Sequence, residues 1–389
     1  SGNSYVTGFF YGRAIFGLGE ANETTLTSAG VNIQSYGSGG GSNDIFVAKY
    51  NAGGALLWVK QAGGDSDDHG RAIAVEGGGN SYVTGYAGGS LFVAKYDPTG
   101  ALLWTKRADG VPTDEAATVL GSGRGLDIGV DGSGNSYITG SFTGDATFGP
   151  DEPNETMLTS AGNWDIFMAK FEPAGALGWA GRAGGASDDY GRGIAVHESG
   201  NSYVTGDFSG AATFGQGETH ETTLTSAGQV DIFVANFDPS GALLWASRDG
   251  GTSDDYGRGI GVDGSGNSYV TGDFTGRVTF GTTPAIGLRA VQTTETILTS
   301  IGASDIFLAK YGADVVLPVT LGYYRADRDR DALTFHWQTV TESGTAGFNI
   351  LAVMPEGRTL LNSELIPSTV IDAVMPIDYR FGVSGNAAL

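Results

Sequence analysis

A chain of 389 residues with 66 glycines, 11 prolines and no cysteine is composed for turns and strands rather than helices, and it offers neither a disulfide framework nor a thiolate metal site. Its 43 acidic and 21 basic side chains leave a formal charge of −22, which argues against nucleic acid and anionic lipid surfaces as partners. An aromatic fraction of 11 % and glycines without a three-residue period argue against disordered and collagen-like chains, and with no run of 18 apolar residues no membrane insertion is expected.

The chain opens on Gly2-Asn3-Ser4-Tyr5-Val6-Thr7-Gly8, a string that returns at Gly79, Gly200 and Gly266 and, with Ile for Val, at Gly134. Its first four residues lack the charged and apolar regions of a signal peptide, and an opening inside a repeat suggests processing or truncation. A second marker, Asp-Ile-Phe, begins at Asp44, Asp165, Asp231 and Asp305, with Ser90-Leu91-Phe92 as a weakened copy. A third, of the Gly-Ala-Leu-Leu-Trp type, ends at Trp58, Trp104, Trp179 and Trp245. The distance from the second marker to the next copy of the first is nearly constant, whereas the segment from the first to the second varies from copy to copy. Five copies of one unit, each with a variable excursion, predict a repeat architecture.

Within the fourth copy four strands are predicted, over 191–196, 201–207, 231–238 and 242–248, each alternating or apolar and bounded by Gly, Asp or Asn. Asp131-Gly132-Ser133-Gly134-Asn135 and Asp263-Gly264-Ser265-Gly266-Asn267 read as hairpin turns between first and second strands. Asp97-Pro98-Thr99-Gly100 and Asp238-Pro239-Ser240-Gly241 read as turns between third and fourth. The expected fold is all-β: a β-propeller of about five four-stranded blades with long inserts between second and third strands, and Trp58, Trp104, Trp179 and Trp245 packed between blades. The first copy lacks its inner strand and the fifth its Trp strand.

These motifs, with Asp188-Asp189-Tyr190-Gly191-Arg192 and Asp254-Asp255-Tyr256-Gly257-Arg258, resemble the bacterial seven-bladed β-propeller repeat family over about residues 1–312. From 313 to 389 the pattern changes. Leu317-Pro318-Val319, the strand Ala332 to Gln338 with its Trp337, and Gly347-Phe348 resemble the fibronectin-III-like module of secreted bacterial proteins, here a small incomplete β-sandwich or a strand-exchanging tail. Val315 to Tyr324 and Ile377 to Val383 are the stretches expected to complete another β-structure.

No nucleophile elbow, phosphate loop or zinc motif is present, and the four histidines stand apart in sequence, so no enzyme and no catalytic residue is expected. The acidic pairs Asp67-Asp68, Asp188-Asp189 and Asp254-Asp255 read as turn residues in ion pairs with Arg71, Arg192 and Arg258. No cofactor is required, although calcium, a hard cation preferring oxygen, suits the turns at Asp131 and Asn135 and at Asp263 and Asn267. Asn22 and Asn154 head N-glycosylation sequons at equivalent places in two excursions. The expected function is an extracellular or cell-surface structural protein, a filament subunit whose partners are copies of itself joined head to tail by strand complementation. The alternatives are a lectin-like propeller binding surface glycans at a face rimmed by Tyr36 and Trp164, and a glycoside hydrolase.

Overall fold

The computed structural model describes residues 2–29, 42–108, 123–281 and 295–312, and, beyond these, the strands of a C-terminal unit between 320 and 384. All regular structure among the described residues is β, with no helix long and apolar enough to cross a membrane. Contacts divide the chain into one unit of Ser1–Gly287 with Gln292–Ala313 and another of Leu288–Val291 with Asp314–Leu389.

The first unit is a series of five antiparallel repeat sheets. The second sheet is complete: Asp68–Val75, Ser81–Ala87, Ser90–Tyr96 and Leu102–Ala108. So are the third, with Gly123–Val130, Ser136–Phe142, Asp165–Phe171 and Leu177–Gly185, and the fourth, with Asp189–Val196, Ser202–Phe214, Thr222–Phe237 and Leu243–Gly251. Among the described residues the first sheet holds Ser4–Tyr11, Asn43–Tyr50 and Leu56–Ala62, the last three of the four strand types. The fifth, among the described residues, holds Asp255–Val262, Ser268–Phe274 and Asp305–Tyr311, the first three. The predicted strand order, with excursions between second and third strands, is the one observed.

Alternation explains the packing. On the third strands of the second, third and fourth sheets apolar residues run consecutively because both faces are covered, one by the preceding sheet and one by the following sheet. Thus Ile45 and Val47 of the first sheet cluster with Val83 of the second, and Ile232 and Val234 of the fourth with Val270 of the fifth. The first strands of sheets two to five pack side by side in chain order.

Every first strand carries a β-bulge one residue after its central glycine, at Arg71, Leu126, Arg192 and Arg258. The bulge drives the preceding carbonyl toward the second strand. A Cβ on Gly85, Gly140, Gly206 or Gly272 would lie 1.9 Å from the carbonyl oxygen of His69, Arg124, Tyr190 or Tyr256. The Thr-Gly of the repeat is therefore a steric requirement of strand pairing.

The excursions are ordered where described. In the first, third, fourth and fifth sheets each folds as a hairpin, from Arg13–Phe16 with Thr24–Thr27 to Arg277–Phe280 with Thr296–Thr299. Phe16, Phe148, Phe214 and Phe280 at the hairpin bends pack on Phe46, Phe167, Phe233 and Phe307 at 4.8–5.3 Å between ring centres. Below each of the first three bends a glutamate accepts the N–H that opens the fourth strand: Glu20 from Leu56, Glu152 from Leu177 and Glu218 from Leu243.

In the second unit Thr320–Asp329 and Ile377–Ser384 flank Ala332–Ser343 in one antiparallel sheet. Phe335, Trp337 and Tyr379 are buried there, with Trp337 stacked on Tyr379. The two stretches expected to serve another chain are thus each paired on one side within their own unit, and residues 315–319 lie outside the described residues.

Candidate interaction site

The tryptophans tie each sheet to the next. The indoles of Trp58, Trp104 and Trp179 donate to the carbonyls of Pro98, Pro173 and Pro239, each in the third-to-fourth turn of the following sheet, at 3.1–3.2 Å. A Cβ on Gly100, Gly175 or Gly241 of that turn would strike the indole. Trp245 is buried and packs beside Tyr203 and Val270.

The turn carboxylates are already supplied with donors. Asp131 accepts the N–H groups of Ser133 and Asn135, the Asn135 amide and the Tyr137 hydroxyl; Asp263 does the same with Ser265, Asn267 and Tyr269. The Asn267 side-chain bond, assisted by those backbone donors, holds Asp263 down to about 2. Any calcium there would compete with these donors. Among the described residues no cluster of three or more His, Cys, Asp or Glu is arranged to hold a metal.

Asn22 and Asn154 are exposed, and their amides donate to the Leu56 and Leu177 carbonyls. His220 occupies the same place in the fourth sheet and bonds the Leu243 carbonyl. A hydrogen-bonding role shared by Asn and His accounts for the position without a sugar.

The acidic pairs require a correction. Arg192 and Arg258 do not pair with the adjacent aspartates: they bond Asp207 and Asp273 on the second strand and lie over Tyr190 and Tyr256, while Arg71 lies over Tyr86. The bulge turns these arginines away from their own Asp-Asp. The second aspartate of each pair points inward instead. Asp189 accepts from the N–H groups of Gly185 and Ser209, Asp255 from those of Gly251 and Thr275, and both are buried beside Asp165 and Asp231. Burial, with the neighbouring carboxylates adding to it, pushes Asp189 up to about 7 and Asp255 up to about 6.

Two surfaces remain. Across one edge of the sheets runs an aromatic and arginine row: Phe9 stacks on His69 and His69 on Tyr86, Arg124 lies over both Tyr86 and Trp164, and Trp164 stacks on Tyr190. Tyr36, expected beside Trp164, lies outside the described residues. Nearby, the second sheet has the tight turn Gly88-Gly89 in place of a hairpin. No phenylalanine covers Phe92, and a cavity of about 430 Å³ opens there, lined by Ile45, Phe92, Tyr96, Asp68 and Arg107.

The other surface is the pair of end sheets. Ile306 and Leu308 on the third strand of the fifth sheet are 88 % and 71 % exposed, whereas their counterparts Ile45, Leu91, Ile166, Ile232 and Val47, Val93, Met168, Val234 are at most 3 % exposed. With Thr271, Gly272 and Arg258 they line a groove of about 560 Å³. In each inner junction a glycine of the following first strand fills this place: Gly70 against Thr7 and Ile45, Gly125 against Thr84 and Leu91, Gly191 against Thr139 and Ile166. At the other end Val6 is 42 % exposed, while Val83, Ile138, Val204 and Val270 are fully buried.

A family model described as Beta-propeller repeat matches residues 57–92 and 244–273. Each matched segment runs from the fourth strand of one sheet across the junction into the next, so the similarity covers the packing unit described above. The chain is also similar, at 26 % identity over 154 residues, to an uncharacterized WD repeat-containing protein of Acanthamoeba polyphaga mimivirus; the match covers 38 % of this chain and 11 % of that protein. The fold is an all-β assembly of propeller-type repeats.

Proposed function

We propose that this chain is a non-catalytic structural or interaction protein of the cell exterior, which assembles with copies of itself, head to tail, through its end sheets into a filament. The observation that carries this reading is the exposure of Ile306 and Leu308 at positions buried in all four other sheets. Contiguous apolar surface of this kind is a mark of an interaction site. A contact between unlike ends is heterologous, and it propagates unless rotation closes it. We also propose that Asp314–Leu389 is a fibronectin-III-like module. A lectin-like propeller is the second reading, favoured by the row of Tyr86, Arg124, Trp164 and Tyr190, since aromatic faces suit sugar rings.

Sedimentation velocity over a wide concentration range, with electron microscopy of the same samples, tests assembly. Oligomers or fibres are expected, and Ile306→Lys with Leu308→Lys should abolish them while leaving Tm nearly unchanged, because both side chains are exposed. A monodisperse monomer under all conditions overturns the filament. A glycan array with matched hydrolysis assays separates the second reading, by binding, from a glycoside hydrolase, by turnover.

A further inference from the structure

The second sheet replaces the excursion with a tight turn, and what the excursion brings to its neighbour identifies a ligand. In the third sheet Phe148 packs on Phe167, while Glu152 accepts the Leu177 N–H with one oxygen and the Lys106 ammonium with the other. Phe92, Leu102 and Lys60 hold the corresponding places around the second sheet, but Ala87 and Ser90 are joined by Gly88-Gly89 alone, which carries neither ring nor carboxylate. We propose that the cavity beside Phe92 binds an aromatic carboxylate, with its ring in the slot and its charge between the Leu102 N–H and Lys60.

The slot is shaped for a ring. Its volume is about 430 Å³, and its walls include Ile45, Phe92, Ala94, Tyr96 and Leu102. The counterparts of the last four, Phe167, Ala169, Phe171 and Leu177, cluster with Phe148 in the third sheet. Leu102 is 54 % exposed, whereas Leu56, Leu177 and Leu243, each beneath a bend, are at most 2 % exposed. The place for the charge is equally defined. Leu56, Leu177 and Leu243 each give their N–H to a bend glutamate, and among the described residues no side chain accepts that of Leu102. Lys60 lies opposite Val47 as Lys106 lies opposite Val93, is exposed, and has no acidic partner among the described residues. It reaches the turn that precedes Leu102: a Cβ on Gly100 would sit 2.9 Å from its Cε. Asp68, the carboxylate of the cavity wall, is already engaged by the N–H groups of Gly64 and Gly88. The bends also set the distance from ring to charge. A Cβ on Gly17, Gly149 or Gly215, the residue after each phenylalanine, would lie 3.1–3.2 Å from the glutamate oxygen, so the charge belongs one residue beyond the ring. A mostly apolar pocket with a few placed polar groups is the usual form of a small-ligand site.

Acetyl-Phe-Gly, whose free carboxylate stands at that spacing, is titrated calorimetrically into the full chain, and hydrogen exchange is followed with and without it. Saturable binding with new protection over residues 99–105 is expected. Acetyl-Phe-Gly amide, which lacks the charge, and acetyl-Gly-Gly, which lacks the ring, should each bind at least about tenfold more weakly. Lys60→Gln, at an exposed position, should leave Tm unchanged, weaken the acid at least about fivefold and leave the amide unaffected. A blocked peptide of residues 213–220, which carries Phe214 and Glu218, separates the sources of this chemistry: tighter binding than the dipeptide points to a bend from another repeat protein, weaker binding to a free aromatic acid. Absence of saturable binding by both probes, equal binding of acid and amide, indifference to Lys60→Gln or protection confined elsewhere overturns the proposal.

Discussion

At the residue scale, the repeated aspartates show how one residue type serves opposite electrostatic ends. Asp263 sits in an exposed turn surrounded by donors and is held down to about 2, so its charge is stabilised throughout the neutral range. Asp189 and Asp255 lie in the junctions, where lost hydration outweighs two backbone N–H donors each. A carboxyl whose folded value exceeds its unfolded value of about 3.9 stabilises fully only below that value, and the contribution fades as pH rises through the folded value. Tm should therefore fall between pH 5 and pH 8, the window set by values of about 6 and about 7. The ceiling for Asp189 is ~4 kcal/mol. Thermal melts in matched ionic strength check this: Asp189→Asn, neutral at every pH, should flatten the slope. A rise in Tm over that range, or an unchanged slope in the variant, would refute the assignment.

At the element scale, the bulged first strand and the glycine facing it form a matched pair. Gly206→Ala places a methyl 1.9 Å from the Tyr190 carbonyl, which only backbone movement can relieve. A loss above ~3 kcal/mol in urea unfolding is expected, the size associated with disrupted backbone geometry. Gly264→Ala, in a turn where nothing lies within 4 Å of the new Cβ and φ is not positive, should stay within ~0.5 kcal/mol. Equal costs at both sites would mean that ordinary glycine entropy, rather than the approaching carbonyl, sets the requirement. The excursions follow a comparable logic: in the first, third and fourth sheets a phenylalanine, a glycine and a glutamate at fixed offsets anchor the bend to the third and fourth strands, and the intervening turn residues are left to vary.

At the scale of the whole molecule, each repeat sheet leans chiefly on its neighbours in sequence, so stability approximates a sum of sheet and junction contributions. The fourth sheet has a junction on both sides; among the described residues the first and fifth have one each. Native-state hydrogen exchange should therefore show slowest opening for Ser202–Phe214 and Thr222–Phe237 and fastest for Ser4–Tyr11 and Asp305–Tyr311, in samples dilute enough to be unassembled. Uniform protection across all five sheets would indicate one cooperative block and remove the distinction between end and inner junctions. Raising the concentration should slow the end sheets selectively if assembly covers them.

The repeat strings at Gly2, Gly79, Gly134, Gly200 and Gly266 determined the all-β class, the strand order and the place of the excursions, because alternation and turn chemistry are local properties written in consecutive residues. The incomplete strand sets of the first and fifth sheets were legible for the same reason, as a count of markers. The hairpins in the excursions were harder to see, since Phe16-Gly17, Phe148-Gly149 and Phe214-Gly215 with their glutamates form a recurring signal only when aligned to each other. What lay beyond the sequence were the partners chosen in space. Arg192 stands next to Asp188-Asp189-Tyr190 in the chain, yet the bulge rotates it onto Asp207. Ile306 and Ile232 belong to the same motif, yet one is exposed and the other buried, because among the described residues a following sheet covers only Ile232. Burial is a property of the neighbour as much as of the residue, so which apolar positions stay exposed was decided by tertiary structure alone.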